Sequence, residues 1–310
     1  MLRQWHGPRT HPIICRMDIM PAGYHDRPPY EVLAPQRQTL PLVLASPHSG
    51  TLYPGPFRDL SALDAQALRR SEDTFVDELF ALAPDLGAPL VRATYPRAYL
   101  DLNREPYELD PEMFEDPLPD YVNTTSPRVA AGLGTIAKVV GTGSNIYRGK
   151  LTFAEAQTRI EALYHPYHAA LAALVEATRL RFGYALLLDC HSMPAPLQGN
   201  PDLAAQIVLG DRHGLTCAPA VMETAEATLR GAGYRVSRNM PYAGGFTTSH
   251  YGRPAAGTHT LQIEVSRRLY MDEITRERFP AFDDLRDKLA GLILALGSLP
   301  AALLQPHPSC

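Results

Sequence analysis

Short apolar runs alternate with longer amphipathic stretches along most of this chain. The runs are typical of buried strands, and stretches whose apolar residues recur every three or four positions are typical of helices. The predicted strands are 42–45, 89–93, 98–102, 184–188, 206–209, 234–237 and 259–265. The predicted helices are 61–82, 153–182, 218–230 and 279–296. This alternation predicts a single α/β domain with a mixed, mostly parallel sheet covered by helices on both faces.

The domain boundaries follow from composition, since the chain has neither internal repeats nor a long Gly/Ser linker. We expect 1–39, rich in Pro, Arg and His, to be a poorly ordered lead-in, in which Met17 and Met20 are alternative starts. One functional domain is expected over 40–300, followed by a C-terminal tail over 301–310. The irregular stretch 105–150 is long for a compact domain and indicates functional loops.

The overall composition restricts the classes of partner. Of the 310 residues, 45% are hydrophobic and 20% charged, and the net charge of -4 gives no basic excess for binding nucleic acid or an anionic membrane. No apolar run approaches the roughly 18 residues of a membrane span. The cysteines lack C-x-x-C spacing, which favours a reducing cytoplasm; they are Cys15, Cys190, Cys217 and Cys310. A small molecule is therefore the expected partner, and the oligomeric state is left open.

Two histidines, His48 and His191, each follow a predicted buried strand. In such folds the carboxyl ends of the strands form the edge where ligands bind. A catalytic zinc ion typically takes three protein ligands from His, Asp and Glu and leaves one position for water. The acidic candidates for the third ligand cluster on the first predicted helix, where Asp73 and Asp77 share a face. They are Glu72, Asp73, Asp77 and Glu78. The alternatives are structural histidines and a solvated acidic helix face.

The run 95–105 concentrates polar residues around a predicted strand. Strand alternation places Arg97, Asp101 and Asn103 on one side, with Arg104 at the exit. The planar donors of Asn103 and Arg104 suit a carboxylate or a developing oxyanion. The alternative is an Arg-Asp ion pair that braces the sheet.

An acidic residue, Glu264, lies between two apolar neighbours in the last predicted strand. Burial raises the pKa of such a carboxyl group, and a raised pKa suits a general base. The alternative is a structural salt bridge with Arg267 or Arg268. The preceding segment 242–254 has paired glycines, His250 and Arg253, which is typical of a substrate-binding loop. We expect His165 and His168 to lie on a helix surface.

Several of these stretches occur together in one family. They are 46–50, Asp-Thr-Phe-Val-Asp at 73–77, Asp-Leu-Asn-Arg at 101–104, Asp-Cys-His-Ser at 189–192, Gly-Gly-Phe at 244–246, His-Tyr-Gly-Arg-Pro at 250–254, Gln-Ile-Glu at 262–264 and Tyr-Met-Asp-Glu at 270–273. In this order the chain resembles the N-formylglutamate amidohydrolases from about residue 40 to 273. Their fold is similar to that of zinc carboxypeptidases and aspartoacylases.

The resemblance implies zinc-dependent hydrolysis of N-formyl-L-glutamate to formate and L-glutamate. It implies that His48 and His191 bind the metal. Carboxypeptidases have a glutamate three residues after the first histidine, but Thr51 occupies that position here, so Asp73 is chosen as third ligand over Glu72 and Asp77.

For the other site residues the resemblance implies Glu264 as general base and a catalytic role for Arg104. It also implies an anionic substrate held by Asn103 and Arg104, and the loop residues suggest Arg97, His250 and Arg253 as further contacts. Two other functions stay open: a hydrolase or peptidase for another acyl-amino acid, and a catalytically silent protein that binds an acidic amino acid. Cys190 is disfavoured as a nucleophile because adjacent residues on an extended segment point to opposite faces, away from His191.

Overall fold

The computed structural model describes residues 27–141, 143–195 and 204–306, and a sheet of seven strands runs through this part of the chain. The strands are β1 (Tyr30–Leu33), β2 (Leu42–Ser46), β3 (Leu90–Ala93), β4 (Ala185–Met193), β5 (Ile207–Gly210), β6 (Val236–Arg238) and β7 (Thr258–Ser266). Their order in the sheet is β1-β3-β2-β4-β7-β5-β6. The pairs β1–β3 and β5–β7 are antiparallel and the other four are parallel. The predicted mixed, mostly parallel sheet is confirmed.

Helices connect and cover these strands. They are α1 (Gly55–Leu60), α2 (Ala65–Leu68), α3 (Val76–Leu79), α4 (Ala83–Leu86), α5 (Pro127–Ala130), α6 (Phe153–Arg159), α7 (His165–Phe182), α8 (Pro219–Gly231), α9 (Phe246–Tyr251) and α10 (Phe282–Gly297). A π-helical turn, Ile160–Tyr164, joins α6 to α7, so the predicted helix 153–182 is confirmed with a local widening just before Pro166. None of the described helices is long and apolar enough to cross a membrane.

Both faces of the sheet are buried, as predicted, because alternate residues of each strand enter different cores. In β2, Leu42 and Leu44 belong to the core that also contains apolar residues of α8 and α10. Val43 and Ala45 belong to the second core, which contains apolar residues of α7. The α/β class is therefore confirmed, with one hydrophobic core on each side.

The predicted helix 61–82 is wrong. The chain instead forms α2, a 3-10 turn at Arg69–Ser71, and then α3 and α4. Between them, Phe75 has a left-handed φ of 65° and the backbone N–H of Asp73 donates to the carbonyl of His48 at 3.0 Å. A continuous helix would keep Asp73 and Asp77 on one face, whereas this turn directs them to different partners.

The predicted strand 98–102 is also wrong. The N–H groups of Tyr99 and Leu100 both donate to the carbonyl of Pro96, which makes a turn. Ala98, Tyr99 and Leu100 are each 1% exposed, so burial rather than sheet pairing explains the apolar run.

The ends of the described chain are packed against the fold. Strand β1 lies inside the predicted lead-in 1–39, and its Glu31 pairs with Arg92 of β3 at 2.6 Å. Residues 1–26 lie outside the described residues. In the predicted tail, Leu304 is buried and its carbonyl accepts from His259 Nε2 at 2.8 Å. Residues packed against the sheet therefore lie outside 40–300 at both ends.

Candidate metal and catalytic site

Polar residues replace apolar ones on one sheet face where β4 and β7 approach their carboxyl ends. Asp189 and His191 lie on the face of β4 opposite to Leu188 and Cys190, whose side chains enter the core of α8 and α10. In β7, Gln262 pairs in register with Asp189, and Glu264 with His191. Strand alternation and this register place four polar side chains side by side at one edge.

His48, Asp73 and His191 form a buried cluster at this edge, with candidate ligand atoms within 4.8 Å of one another. His48 follows β2, Asp73 lies in the turn before α3, and His191 is in β4. The Nδ1 atoms of His48 and His191 lie 3.3 and 3.0 Å from Asp73 Oδ2. His48 Nδ1 is buried without a well-aligned hydrogen bond, which leaves it suited to a metal ion.

The carboxylates of Glu72 and Asp77 are bound to other side chains. Glu72 is held by Arg69 at 2.8 Å and by the hydroxyl of Tyr53 at 3.0 Å. Asp77 pairs with Arg92 at 2.9 Å. Among the described residues, Asp73 is the acid that joins the two histidines.

A carboxylate lies behind each imidazole. His48 Nε2 is 2.7 Å from Asp101 Oδ1, and His191 Nε2 is 2.9 Å from Asp189 Oδ1. Metal-binding histidines typically donate their second ring N–H to such a partner, which fixes the ring and leaves the other nitrogen for the metal. Two imidazole nitrogens and one carboxylate oxygen match the donor set of a catalytic zinc site, so the cluster fits a divalent metal.

Charges within the site strongly shift the pKa values of its members. Burial alone raises the pKa of Asp73, but the interactions with His191 and His48 outweigh burial and hold that pKa well below its usual range. Burial alone lowers the pKa of His191, but Asp189 and Asp73 outweigh it and raise that pKa. At Asp101, Arg104 and Arg97 outweigh burial and keep the pKa low. Asp73 and Asp101 are therefore ionised and able to compensate a bound cation.

Glu264 lies beside this cluster and is 8% exposed. Burial raises its pKa to about 7, with Asp73 and Asp189 adding to the rise and His191 and Arg97 opposing it. The side-chain amide of Gln262 donates to Glu264 Oε1 at 2.9 Å. The alternative of a salt bridge to Arg267 is wrong, since Arg267 pairs instead with Asp73 at 3.2 Å.

The segment that was predicted as a strand still brings its polar residues to the site. Arg97 pairs with Asp101 at 2.6 Å, as the predicted Arg-Asp ion pair requires, and its side chain is 23% exposed. Arg104 is 8% exposed and donates to the carbonyls of Leu133 and Asn103, each at 2.7 Å. Arg97 is thus the more accessible of the two guanidinium groups.

Both polar atoms of the Asn103 side chain contact other protein groups. Its Oδ1 accepts from the N–H of Thr247 at 2.7 Å, and its Nδ2 lies 3.0 Å from His191 Nε2 and 3.4 Å from Asp189 Oδ2. These contacts join α9 to the histidine cluster. Asn103 therefore positions neighbouring groups, whereas the sequence suggested a direct substrate contact.

The predicted loop residues His250 and Arg253 are exposed. The His250 ring stacks on Phe246 with centroids 4.8 Å apart, and Arg253 forms a backbone bridge with Thr258. None of the contacts of the described chain links either side chain to the histidine cluster. The structure thus gathers the other predicted residues around the histidines, whereas His250 and Arg253 have their described contacts elsewhere.

Four neighbours of the cluster were missed as site residues: Asp189, Ser192, Gln262 and Arg267. Asp189 and Gln262 each lie two positions before a predicted site residue on the same strand, so strand alternation identifies them. Ser192 and Arg267 reach the cluster through tertiary contacts with Asp73, for which the sequence has no local signal.

Comparison with known proteins identifies the family. The family model described as N-formylglutamate amidohydrolase matches residues 40–271. An N-formylglutamate deformylase of Pseudomonas putida is 31% identical over 263 residues, which is 82% of this chain and 90% of that protein. One of Pseudomonas aeruginosa is 32% identical over 251 residues, covering 78% of this chain and 86% of the relative.

Solved structures agree with this result. The N-formylglutamate amidohydrolase of Ralstonia eutropha JMP134 has a TM-score of 0.82 and 42% identity, over 87% of this chain and 97% of its own. A gene product of Agrobacterium tumefaciens, 22% identical with a TM-score of 0.62 over 88% and 95% of the two chains, shares the fold. The predicted resemblance over 40–273 is confirmed: this chain belongs to the N-formylglutamate amidohydrolase family.

Proposed function

We propose that this protein hydrolyses N-formyl-L-glutamate to formate and L-glutamate with a divalent metal, zinc by the donor set, held by His48, Asp73 and His191. The observation that carries the proposal is the buried cluster of these residues, with carboxylates behind both imidazoles and Glu264 next to it. Names of relatives give the substrate, and the site gives the chemistry. The substrate is a small anion, and a cytoplasmic location fits the free, buried thiols of Cys190 and Cys217.

The metal, when bound, supplies a Lewis acid that polarises the formyl carbonyl and acidifies a water molecule. Glu264 accepts a proton from the water as the water oxygen bonds to the formyl carbon. It then passes this proton to the amine nitrogen as the C–N bond breaks, which releases formate and L-glutamate. A pKa of about 7 leaves both protonation states of Glu264 accessible at neutral pH, as a group that accepts and then donates a proton requires. Gln262 holds Glu264 Oε1 in place through its amide.

The remaining residues bind and orient. Arg97 is partly exposed and pairs with Asp101, the carboxylate next to His48. Burial lowers the pKa of Arg97, but the charges of Asp101 and Asp73 outweigh burial and raise it. We assign Arg97 to a substrate carboxylate or the developing oxyanion. Arg104 and Asn103 support the site indirectly. Arg104 contacts Asp101, and Asn103 contacts His191. His250 and Arg253 stay as candidates for a remote part of the substrate.

The first test is formate release by the purified protein, with its metal content quantified. N-formyl-L-glutamate should be cleaved in preference to N-acetyl-L-glutamate and a formylated neutral amino acid. Glu264→Gln should lower kcat by about 100-fold or more, because general base catalysis contributes at least that factor. Its metal content should match that of the wild type.

Each part of the proposal has its own contrary result. Full activity in Glu264→Gln would refute the role of Glu264 as general base. Activity that survives complete removal of metal by a chelator would refute the metal role. Preference for another acyl group would keep the site and change the substrate, and tight binding without turnover would indicate a silent binding protein.

A further inference from the structure

Arg267 is a buried arginine that follows the last strand and is 8% exposed. Each of its three nitrogens is used within the protein. Nε donates to Ser192 Oγ at 3.1 Å, Nη1 to the carbonyl of Arg70 at 3.2 Å, and Nη2 to Asp73 Oδ1 at 3.2 Å. Because Arg267 is buried and each of its nitrogens donates to a protein acceptor, it is poorly suited to bind substrate. Its role therefore follows from the groups that it holds.

The carboxylate of Asp73 is divided between two sets of partners. Oδ1 accepts from Arg267 and from the hydroxyl of Ser192 at 3.1 Å. Oδ2 faces the Nδ1 atoms of His48 and His191 at 3.3 and 3.0 Å. The two oxygens of one carboxylate thus have fixed and different surroundings.

We infer that Arg267, together with Ser192, is a positioning residue that presents Asp73 to the metal through Oδ2 alone. The inference rests on the proposed metal centre. Asp73 needs such support because it lies in a turn between short helices, while both histidines belong to or directly follow strands of the sheet. A side chain in a turn has more freedom to rotate than one fixed by strand pairing, and rotation of χ2 would exchange the two oxygens.

The charge of Arg267 cannot itself attract the metal ion, and this distinguishes a positioning role from electrostatic attraction. A guanidinium next to the cluster repels a cation, so its charge alone weakens metal binding. Geometry is therefore the benefit that Arg267 provides. A lysine retains the charge but has a single nitrogen, which cannot satisfy three acceptors in a fixed fork.

The experiment compares the wild type with Arg267→Lys, Ser192→Ala and the matched control Arg268→Lys, which alters the exposed neighbouring arginine. The affinity for Zn²⁺ is measured by chelator competition, and the thermal midpoint of the metal-free protein is measured in parallel. We expect Arg267→Lys to weaken Zn²⁺ binding about 10- to 100-fold, as loss of partners of metal ligands generally does. Ser192→Ala should weaken it in the same direction, and Arg268→Lys should bind like the wild type.

A spectroscopic measurement separates positioning from general stability. In the Co²⁺-loaded protein, the visible absorption reports the number and arrangement of ligands. Arg267→Lys and Ser192→Ala should change its shape and intensity even where the metal-free thermal midpoint is unchanged. Ser192→Ala keeps the experiment decisive if Arg267→Lys does not fold.

The outcomes distinguish this inference from the proposed function. If the wild type binds Zn²⁺ through His48 but Arg267→Lys and Ser192→Ala bind it equally well with unchanged Co²⁺ spectra, the positioning role is wrong and the metal site stands. If His48→Ala leaves Zn²⁺ binding unchanged, or the wild type does not bind Zn²⁺, the proposed metal centre fails and the role of Arg267 fails with it.

Discussion

At the level of single residues, the two arginines of the Asp-Leu-Asn-Arg region have different surroundings. Arg104 is almost fully buried, and two of its nitrogens donate to backbone carbonyls. Arg97 pairs with Asp101 at 2.6 Å and keeps part of its side chain exposed. Accessibility therefore favours Arg97 for substrate and Arg104 for support of Asp101.

Replacing Arg97 tests this assignment. Arg97→Met should lower kcat/KM about 30-fold or more, because a charge-assisted hydrogen bond to a carboxylate contributes about 2 kcal/mol. Arg253→Met should change kcat/KM less than about 3-fold, since Arg253 is exposed and its described contact is a backbone bridge to Thr258. Steady-state formate release on both variants measures the difference. A larger effect at Arg253 than at Arg97 would reverse the assignment.

At the level of elements, the segment between β6 and β7 closes one side of the site. The N–H of Gly245 donates to the side-chain oxygen of Gln262 at 2.8 Å, and the N–H of Thr247 donates to Asn103. A Cβ atom at Gly245 would come within 2.6 Å of Asn103 Nδ2 and Oδ1. Glycine is therefore required here by the close approach of Asn103.

Gly245→Ala should accordingly impair catalysis more than folding. We expect kcat to fall about 10- to 100-fold, since displacements of about 1 Å in a catalytic site have effects of this size. Gly149→Ala is the matched control, because nothing lies within 4 Å of its Cβ position. Activity and urea unfolding are measured on both variants. Equal activities in the two variants would contradict the proposed packing constraint.

The long irregular stretch 105–150 also supports the site, although it contributes no member of the metal cluster. Its Leu133 carbonyl holds Arg104, and its Thr135 carbonyl accepts from the N–H of Asp101 at 2.8 Å. Its own apolar residues, including Leu109, Ile136 and Ile146, enter the second core. The stretch is thus a packed support for 97–104.

At the level of the whole molecule, the second core and the site share one face of the sheet. His168 of α7 was predicted at a helix surface, but it is partly buried, and that prediction is wrong. Its Nε2 donates to the carbonyl of Leu102 at 2.8 Å, and its Nδ1 lies 3.0 Å from the hydroxyl of Tyr251. It therefore connects α7, the 97–104 segment and α9, and burial lowers its pKa to about 4.

This shift predicts that acid destabilises the fold through His168. An unfolded histidine has a pKa of about 6.5, so between pH 6.5 and 4 the unfolded chain binds the proton that the folded chain excludes. The contribution is fully present above pH 6.5 and is lost as pH falls toward 4, by about 1–3 kcal/mol after allowance for partial exposure.

Urea unfolding of the metal-free wild type and His168→Gln at several pH values measures this contribution. Stability should fall more steeply with acid in the wild type than in the variant, which cannot titrate at this position. Parallel pH profiles for the two proteins would show that His168 does not control acid stability. Comparing the variants separates His168 from His250 and His259, whose pKa values burial also lowers.

The sequence by itself determined most of the sheet and one half of the site. Apolar runs marked six of the seven described strands, and the period of two along β4 and β7 fixed which residues share the site face. These features depend on local alternation, so they can be read from neighbouring positions. The family likeness, carried by short motifs in order, was likewise determined by sequence.

Tertiary structure alone decided which acid joins His48 and His191. Glu72, Asp73 and Asp77 have similar local sequences, and the continuous helix that was predicted to carry them is absent. Asp73 enters the cluster because its turn bonds to His48 and because Arg267 and Ser192 hold its second oxygen. Arg267 and Ser192 lie more than a hundred positions from Asp73 along the chain, and contacts over such separations are set by the packing of the whole sheet.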